Sequence, residues 1–140
     1  MAFIIPANTL AEDAANDNGI FGYGLTGSVV SMTNLVSNSG VVASDVTGVG
    51  TSRHYLAACE YGGDKGIFGY GNGNVSMTNL VSNSGVVSSD VTGVGSGRRE
   101  LEACSYGDDK GIFGFGFMGY GTGGLVSLTN LVSNSGVVAS

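Results

Sequence analysis

Short apolar runs alternate with Gly, Asn and Ser along the chain, in a pattern that favours strands over helices. Glycine costs about 1 kcal/mol at each helical position, and every apolar segment contains or adjoins one. The segments are short, rich in Val, Ile, Phe and Tyr, and bounded by turn-forming residues, as strands are. In the middle of the chain we predict four strands, at 53–59, 65–71, 75–82 and 85–91.

The same order of segments occurs three times. The decapeptide TNLVSNSGVV stands unchanged at 33–42, 78–87 and 129–138, each time after GIFGYG or GIFGFG. A fixed period of about 45 residues is typical of stacked or radial arrays of one repeated unit. We therefore predict a single repeat domain over 1–140, made of an N-terminal arm at 1–8 and repeats at 9–46, 47–91 and 92–140.

The decapeptide itself predicts a hairpin. An apolar strand end meets Ser-Asn-Ser-Gly and then two valines, and Asn and Gly supply the positive φ angles of tight hairpins. An unchanged sequence would fix the strand register, because a slip of one residue turns the apolar side chains outward. Before the first GIFGYG, residues 9–18 align with 55–65 as a degraded strand.

Composition and charge exclude several classes of protein. Gly supplies 26 of 140 residues, 42% are hydrophobic and only 11% are charged, which indicates a turn-rich β protein and not a charged disordered chain. A net charge of −6 with five basic residues argues against nucleic-acid binding, which depends on Lys and Arg at phosphates. No segment matches a membrane helix or a signal peptide. We therefore expect that the protein is made in a cytoplasm and is not inserted in a membrane.

Four strands in about 45 residues are typical of a β-propeller blade. We predict an all-β, propeller-like array of three four-stranded blades. Closed propellers need about four to eight blades, so the ring would have to be closed by oligomerisation. A homodimer with a two-fold axis is the simplest closure, and a flat solenoid or trimeric fibre module is the alternative arrangement.

The repeat resembles a kelch-type blade. The likeness lies in an arginine that opens the second strand (Arg53, Arg98), small residues at 57–58, the Tyr-Gly-Gly step at 61–63 and Ile-Phe-Gly in the third strand. It departs from that family at Asp108, which breaks the second Gly-Gly step, and in having no Trp.

The amino-acid sequence of the repeats, and the opening MAFIIPANTL, also resemble Gly-rich repeats in tail and other virion proteins of marine bacteriophages. This second resemblance covers nearly the whole chain. It implies a location in a virion and other virion proteins as partners.

Charged residues recur at matching points of the repeats. Arg53 and Arg98 each follow an acidic residue, Asp45 or Asp90, by eight positions. In a radial array such an arginine can bind a carboxylate of its own or of the adjacent blade. We therefore predict that these four are structural residues between blades.

The cysteines and the histidine give weaker signals. Cys59 and Cys104 are a whole repeat apart, farther than the roughly 7 Å between Cα atoms that a disulfide spans, which predicts free buried thiols. His54 is the only histidine, and Arg99 takes its place in the next repeat. We expect the side chains of His54 and Arg99 to face solvent.

The longest irregular segment, 117–124, carries Phe117, Met118 and Tyr120 among glycines. Aromatic faces suit sugar rings or protein partners, and loops on rigid repeats commonly bind ligands. We predict a partner or ligand loop here, with packing over an edge between subunits as the alternative.

The N-terminal arm has apolar residues at Phe3, Ile4 and Ile5, followed by the only proline, Pro6. Proline fixes an extended or turn conformation. We predict an extended arm that binds a neighbouring subunit.

These features favour a non-enzymatic protein without cofactor or metal. No His, Cys and carboxylate residues converge at a catalytic or metal-binding spacing, and near-identical repeats lack the asymmetry of an active site. We predict a structural or assembly protein of a bacteriophage virion, in a tail, fibre or capsid decoration. The alternative is a lectin-like propeller for host recognition, with surface glycans as ligands.

Overall fold

The structure is a computed structural model that describes residues 2–3, 18–119 and 124–140. Within these ranges the chain is all-β, as predicted, with no helix and thus none that could cross a membrane. The strands form three antiparallel, three-stranded sheets in chain order. The first sheet has β1 (Ala2–Phe3), β2 (Gly19–Leu25) and β3 (Val29–Val36); the second has β4 (Ala57–Tyr61), β5 (Lys65–Gly69) and β6 (Thr78–Val81); the third has β7 (Glu102–Tyr106), β8 (Lys110–Gly114) and β9 (Thr129–Val132).

The fourth predicted strand of each repeat is present only as isolated bridges. In the second repeat, Val87 pairs with Val81 and Val91 with Thr78, and no continuous ladder joins these points. Between these points Ser88 N donates to Leu80 O at 2.8 Å, while Leu80 N donates to the Ser88 hydroxyl at 3.0 Å. Each repeat therefore consists of three strands and a loosely paired fourth segment.

The decapeptide forms the predicted hairpin in every repeat. In the middle copy Ser82 N donates to Val86 O and Gly85 N to Ser82 O, both at 2.9 Å. Only glycine supplies the positive φ, +79° at Gly85. Asn83 has an ordinary φ, and its side chain donates to Asp64 Oδ2 at 3.1 Å.

The first strand of the first sheet comes from a different segment than the alignment indicated. Ala2 pairs with Gly22 and Phe3 with Phe21, in the register that joins β4 to β5 in the second sheet. Residues 2–3 thus occupy the position that the alignment assigned to 9–18. Phe3, predicted to lie in the arm, belongs to this sheet, while Ile4 and Ile5 lie outside the described residues.

The sheets pack face against face through two apolar clusters. The first cluster joins the first and second sheets and the second joins the second and third. All five residues of β4 are buried, whereas four of the five in the equivalent β7 are exposed. The third sheet covers one side of β4, and no further sheet among the described residues covers the equivalent side of β7.

Close approach of the sheets depends on glycines beneath phenylalanine rings. A Cβ atom on Gly22 would lie 2.9 Å from Phe68 Cζ, and one on Gly69 would lie 2.7 Å from Phe113 Cζ. Both distances are shorter than real Cβ contacts allow, so a side chain at either position would force the ring away. This contact accounts for the glycine of Ile-Phe-Gly in the first two repeats and for its phenylalanine in the last two.

We expect Gly69→Ala to destabilise the fold by about 1–3 kcal/mol, the usual effect of overpacking a tight core. Gly124→Ala is the control, because a Cβ there meets no atom within 4 Å. Urea unfolding of both variants measures the difference. Equal midpoints would contradict a rigid contact between Gly69 and Phe113.

Candidate functional site

The contact between consecutive repeats is centred on one aromatic residue per repeat in an unusual backbone conformation. Tyr23, Tyr70 and Phe115 follow the glycine of Ile-Phe-Gly and have φ values of 60°, 64° and 61°. Positive φ is uncommon for a bulky residue, and in the first sheet the register shifts here between Gly22 and Gly24. The repeated strain turns the ring of Tyr23 or Tyr70 toward the following repeat.

Each tyrosine ring is then enclosed by that repeat. Phe68 meets Tyr23 edge-on at 5.2 Å between ring centroids, and Phe113 meets Tyr70 in the same way. The guanidinium of Arg53 lies 4.4 Å from the centroid of Tyr23, and that of Arg98 lies 4.2 Å from Tyr70. Such cation–π contacts are strongest where water is excluded, and burial raises the pKa of both tyrosines.

The tyrosine hydroxyls are hydrogen-bonded as well. Tyr23 donates to Val49 O at 3.0 Å and Tyr70 donates to Val94 O at 3.1 Å. In the third repeat Phe115 has no hydroxyl, and its ring is 62% exposed.

Arg53 joins the first two repeats. Its guanidinium packs on Tyr23, while Nε donates to Tyr70 O at 2.8 Å and Nη2 donates to Asn79 Oδ1 at 2.6 Å. Burial lowers the pKa of Arg53, and these acceptors together with Asp90 offset that desolvation.

The carboxylate beside Arg53 is Asp90, whereas the sequence spacing suggested Asp45. Arg53 Nη1 lies 4.0 Å from Asp90 Oδ1. Asp90 also accepts hydrogen bonds from Thr51 Oγ1 at 2.7 Å and Asn79 Nδ2 at 2.9 Å. Asp45 instead accepts from Asn34 at an exposed position. The arginine lies in the connection that precedes its own sheet, which brings it beside the acidic residue 37 positions later.

Arg98 repeats only part of this arrangement. It is fully buried, packs on Tyr70 and donates from Nε to Phe115 O at 2.8 Å. Its Nη2 has no hydrogen-bond partner, and Asp90, its expected partner, is beside Arg53. Among the described residues Arg98 makes no ion pair.

Three further sequence predictions need correction in part. Both cysteines are free, but only Cys59 is buried and Cys104 is exposed, because no fourth repeat covers the third sheet. His54 is half-buried against Tyr55. Arg99 is also largely buried, with its guanidinium 4.8 Å from the Phe117 centroid.

The predicted ligand loop is partly fixed by these contacts. Phe117 forms backbone bridges with Arg99 and Leu125, and Arg99 Nη1 donates to Gly119 O at 3.0 Å. Phe117 and Met118 are half-buried, and Tyr120 lies outside the described residues. The Arg99 guanidinium therefore covers one face of the Phe117 ring.

Two open faces remain at the ends of the stack. We call the outer side of the third sheet the tail face; its residues correspond to positions that the next repeat covers elsewhere. They are Cys104, Tyr106, Gly114, Phe115 and Leu131. We call the opposite side of the first sheet the head face; Gly40 and Val42 are exposed on it, whereas Gly19 is half-buried.

The described residues contain no group of His, Cys, Asp and Glu side chains that could hold a metal ion. A cleft of about 230 Å³ between the second and third repeats is lined mainly by Val and Thr, with Leu80 at its base. A smaller one of about 50 Å³ lies beside Glu60, Asp64 and Lys65.

No family model matches this sequence, and no curated protein is significantly similar to it. The assignment of a function to this chain therefore rests on the geometry described above and on the repeat resemblance.

We expect Asp90→Asn to destabilise the protein by about 1–3 kcal/mol at pH 7, because the new amide would point a donor at Thr51 or Asn79. Burial alone would raise the pKa of Asp90, but hydrogen bonds from Thr51 and Asn79 and the charge of Arg53 hold it below its usual value. Its contribution is therefore present above about pH 4 and lost as pH falls through the lowered pKa.

Urea midpoints of Asp90→Asn and wild type should accordingly converge toward pH 3. Asp45→Asn is the control, with an expected change of less than about 0.5 kcal/mol at either pH. A gap between Asp90→Asn and wild type that stays constant with pH would argue against a charged Asp90 in the network.

The two thiols should react at very different rates. Burial raises the pKa of Cys59 to about 12, and reaction requires an accessible thiolate, whereas Cys104 is exposed. We expect Ellman's reagent to label one thiol per folded chain and two after denaturation. Cys104→Ser should abolish the labelling of the folded chain, and rapid labelling of that variant would show that Cys59 is accessible.

Proposed function

We propose that the chain is a non-enzymatic structural protein that assembles through the ends of its repeat stack, as a component of a bacteriophage virion. The observation that carries the structural role is the contrast between β4, buried throughout, and the exposed equivalent β7. The same type of surface is covered inside the chain and bare at its tail face. Unpaired apolar sheet faces of this kind are typical of association sites.

The arrangement that we propose for the assembled state is a propeller-like ring. Three sheets packed face to face, joined by aromatic and arginine contacts, supply half of a six-bladed ring, and a second copy supplies the other half. Oligomerisation closes the ring in this proposal. Location in a virion implies that other virion proteins are further partners.

The virion location is supported by the resemblance of the Gly-rich repeats to those of phage tail and virion proteins. The structural role is consistent with it, because the buried arginines Arg53 and Arg98 make their contacts within the chain. Arg53, Arg98 and Asp90 act as structural residues in this proposal.

A lectin-like role has less support in the geometry. Phe117, one of the two aromatic residues expected to stack on a sugar, has one face under Arg99, and the cleft between repeats is lined mainly by Val and Thr. Glycan binding is therefore the result that would favour the lectin role over the structural role in the test below.

The test combines two measurements on the same chain. Particles purified from a culture that expresses it are analysed by mass spectrometry, and the purified protein is applied to a glycan array. We expect stoichiometric recovery in the particles and no glycan signal. Absence from the particles, with saturable glycan binding at about one site per repeat, would replace the structural role by the lectin role.

A further inference from the structure

The decapeptide packs against both of its neighbours, which gives its unchanged sequence a physical cause. In the middle copy Leu80 packs into the second cluster, toward the third sheet. Val81 and Val87 belong to the first cluster, toward the first sheet. Each copy therefore offers a leucine to the next repeat and two valines to the preceding one.

The turn glycine completes this contact. A Cβ on Gly85 would lie 3.1 Å from Leu35 Cδ1, and one on Gly136 would lie 2.9 Å from Leu80 Cδ2. The turn of each repeat therefore sits directly on the leucine of the repeat before it. A substitution at either position would separate the two hairpins.

Both halves of this contact are unused at the ends of the chain. At the tail face Leu131 is 49% exposed. At the head face a Cβ on Gly40 would meet no atom within 4 Å, and Val42 is 56% exposed where the equivalent Val87 is only 7% exposed. One end thus presents the leucine, and the other presents the glycine and valine that cover it elsewhere.

We propose that the tail face of one copy binds the head face of a second copy in the register that joins consecutive repeats. Leu131 then packs against Gly40 and Val42 of the second copy, and Cys104 lies against its Gly19. This inference rests on the assembly role proposed above and specifies its partner and contacts. It predicts a head-to-tail interface, which either closes a ring or propagates as a filament.

The contact between copies departs from the internal contact in several respects. Residues 1–52 contain no arginine, so the head end of the second copy has none to pack on Phe115. Phe115 replaces the tyrosine, which removes a hydroxyl that would otherwise need an acceptor in the second copy. Glu102 stands where Ala57 is buried in the second sheet, and a charge at an exposed sheet position limits uncontrolled pairing. We therefore expect this interface to be weaker than the contacts within the chain.

The register can be tested with a disulfide. Inside the chain a Cβ on Gly111 would lie 3.5 Å from Cys59 Cβ, at the short end of the range that disulfides adopt. Gly19 and Cys104 are the equivalent positions at the two ends. Gly19→Cys should therefore form an intermolecular disulfide with Cys104 under copper phenanthroline, seen as a band on a non-reducing gel.

Three control variants accompany the Gly19→Cys experiment. Gly111→Cys should form the intramolecular disulfide with Cys59, which verifies the geometry. Gly19→Cys with Cys104→Ser, and Val41→Cys on the outward side of the same hairpin (65% exposed), should not form the band. A dimer band or a ladder supports the proposal, whereas no band from Gly19→Cys alongside a formed Gly111→Cys disulfide overturns it.

Charged substitutions test the same interface without a cross-link. We expect Val42→Asp and Leu131→Asp each to weaken self-association at least about tenfold in light scattering, because a buried unpaired carboxylate is costly. Val41→Asp and Val137→Asp, at exposed neighbouring positions, should leave association unchanged. A mixture of Val42→Asp with Leu131→Asp should recover heterodimers, since one intact head and one intact tail remain.

The two proposals fail in different ways. A chain found in particles that gives no Gly19→Cys cross-link, and whose mass does not respond to Val42→Asp or Leu131→Asp, overturns the head-to-tail register alone. A chain that cross-links but is absent from particles overturns the virion role and leaves the self-assembly interface intact.

Discussion

The close packing of Phe68 on Gly22 and of Phe113 on Gly69 is the constraint on which the rest of the structure depends. It sets the separation of the sheets at a value that no side chain at the glycine would permit. At this separation the tyrosine ring of one repeat contacts the phenylalanine ring of the next repeat edge-on. The arginine of that next repeat packs on the face of the same tyrosine ring. The decapeptide hairpins also come close enough for a turn glycine to rest on a leucine.

This spacing means that every sheet has two apolar faces and needs two neighbours. A protein with one buried and one solvated face alternates apolar and polar residues along its strands, but here adjacent residues such as Leu80 and Val81 face opposite neighbours. Stability then depends on contacts between nearest neighbours, as in repeat proteins generally. Among the described residues, the outer side of the third sheet has no second neighbour.

Much of this organisation can be predicted from the sequence. The all-β class, the three strands of the second and third sheets and the decapeptide hairpin follow from glycine spacing and turn chemistry, which act locally. The first strand of the first sheet does not follow, because residues 2–3 and not 9–18 form it. The partner of Arg53 does not follow, because Asp90 is distant in sequence and close only once the sheets are stacked. Exposure of Cys104 was missed for a related reason: equivalent positions in two repeats differ in burial when only one of them is covered by a further sheet.

The positions at which the repeats differ support the same physical account. Glu60 has Ser105 as its counterpart, and Ser105 lies against β4, where its hydroxyl accepts a hydrogen bond from Glu60 N at 3.1 Å. The same hydroxyl donates to Glu60 O at 3.3 Å, so the short serine side chain bonds both backbone groups of Glu60. Ala57 becomes Glu102 only where the next sheet is absent. The decapeptide, by contrast, keeps its sequence in all three copies, because each copy carries both halves of one interface.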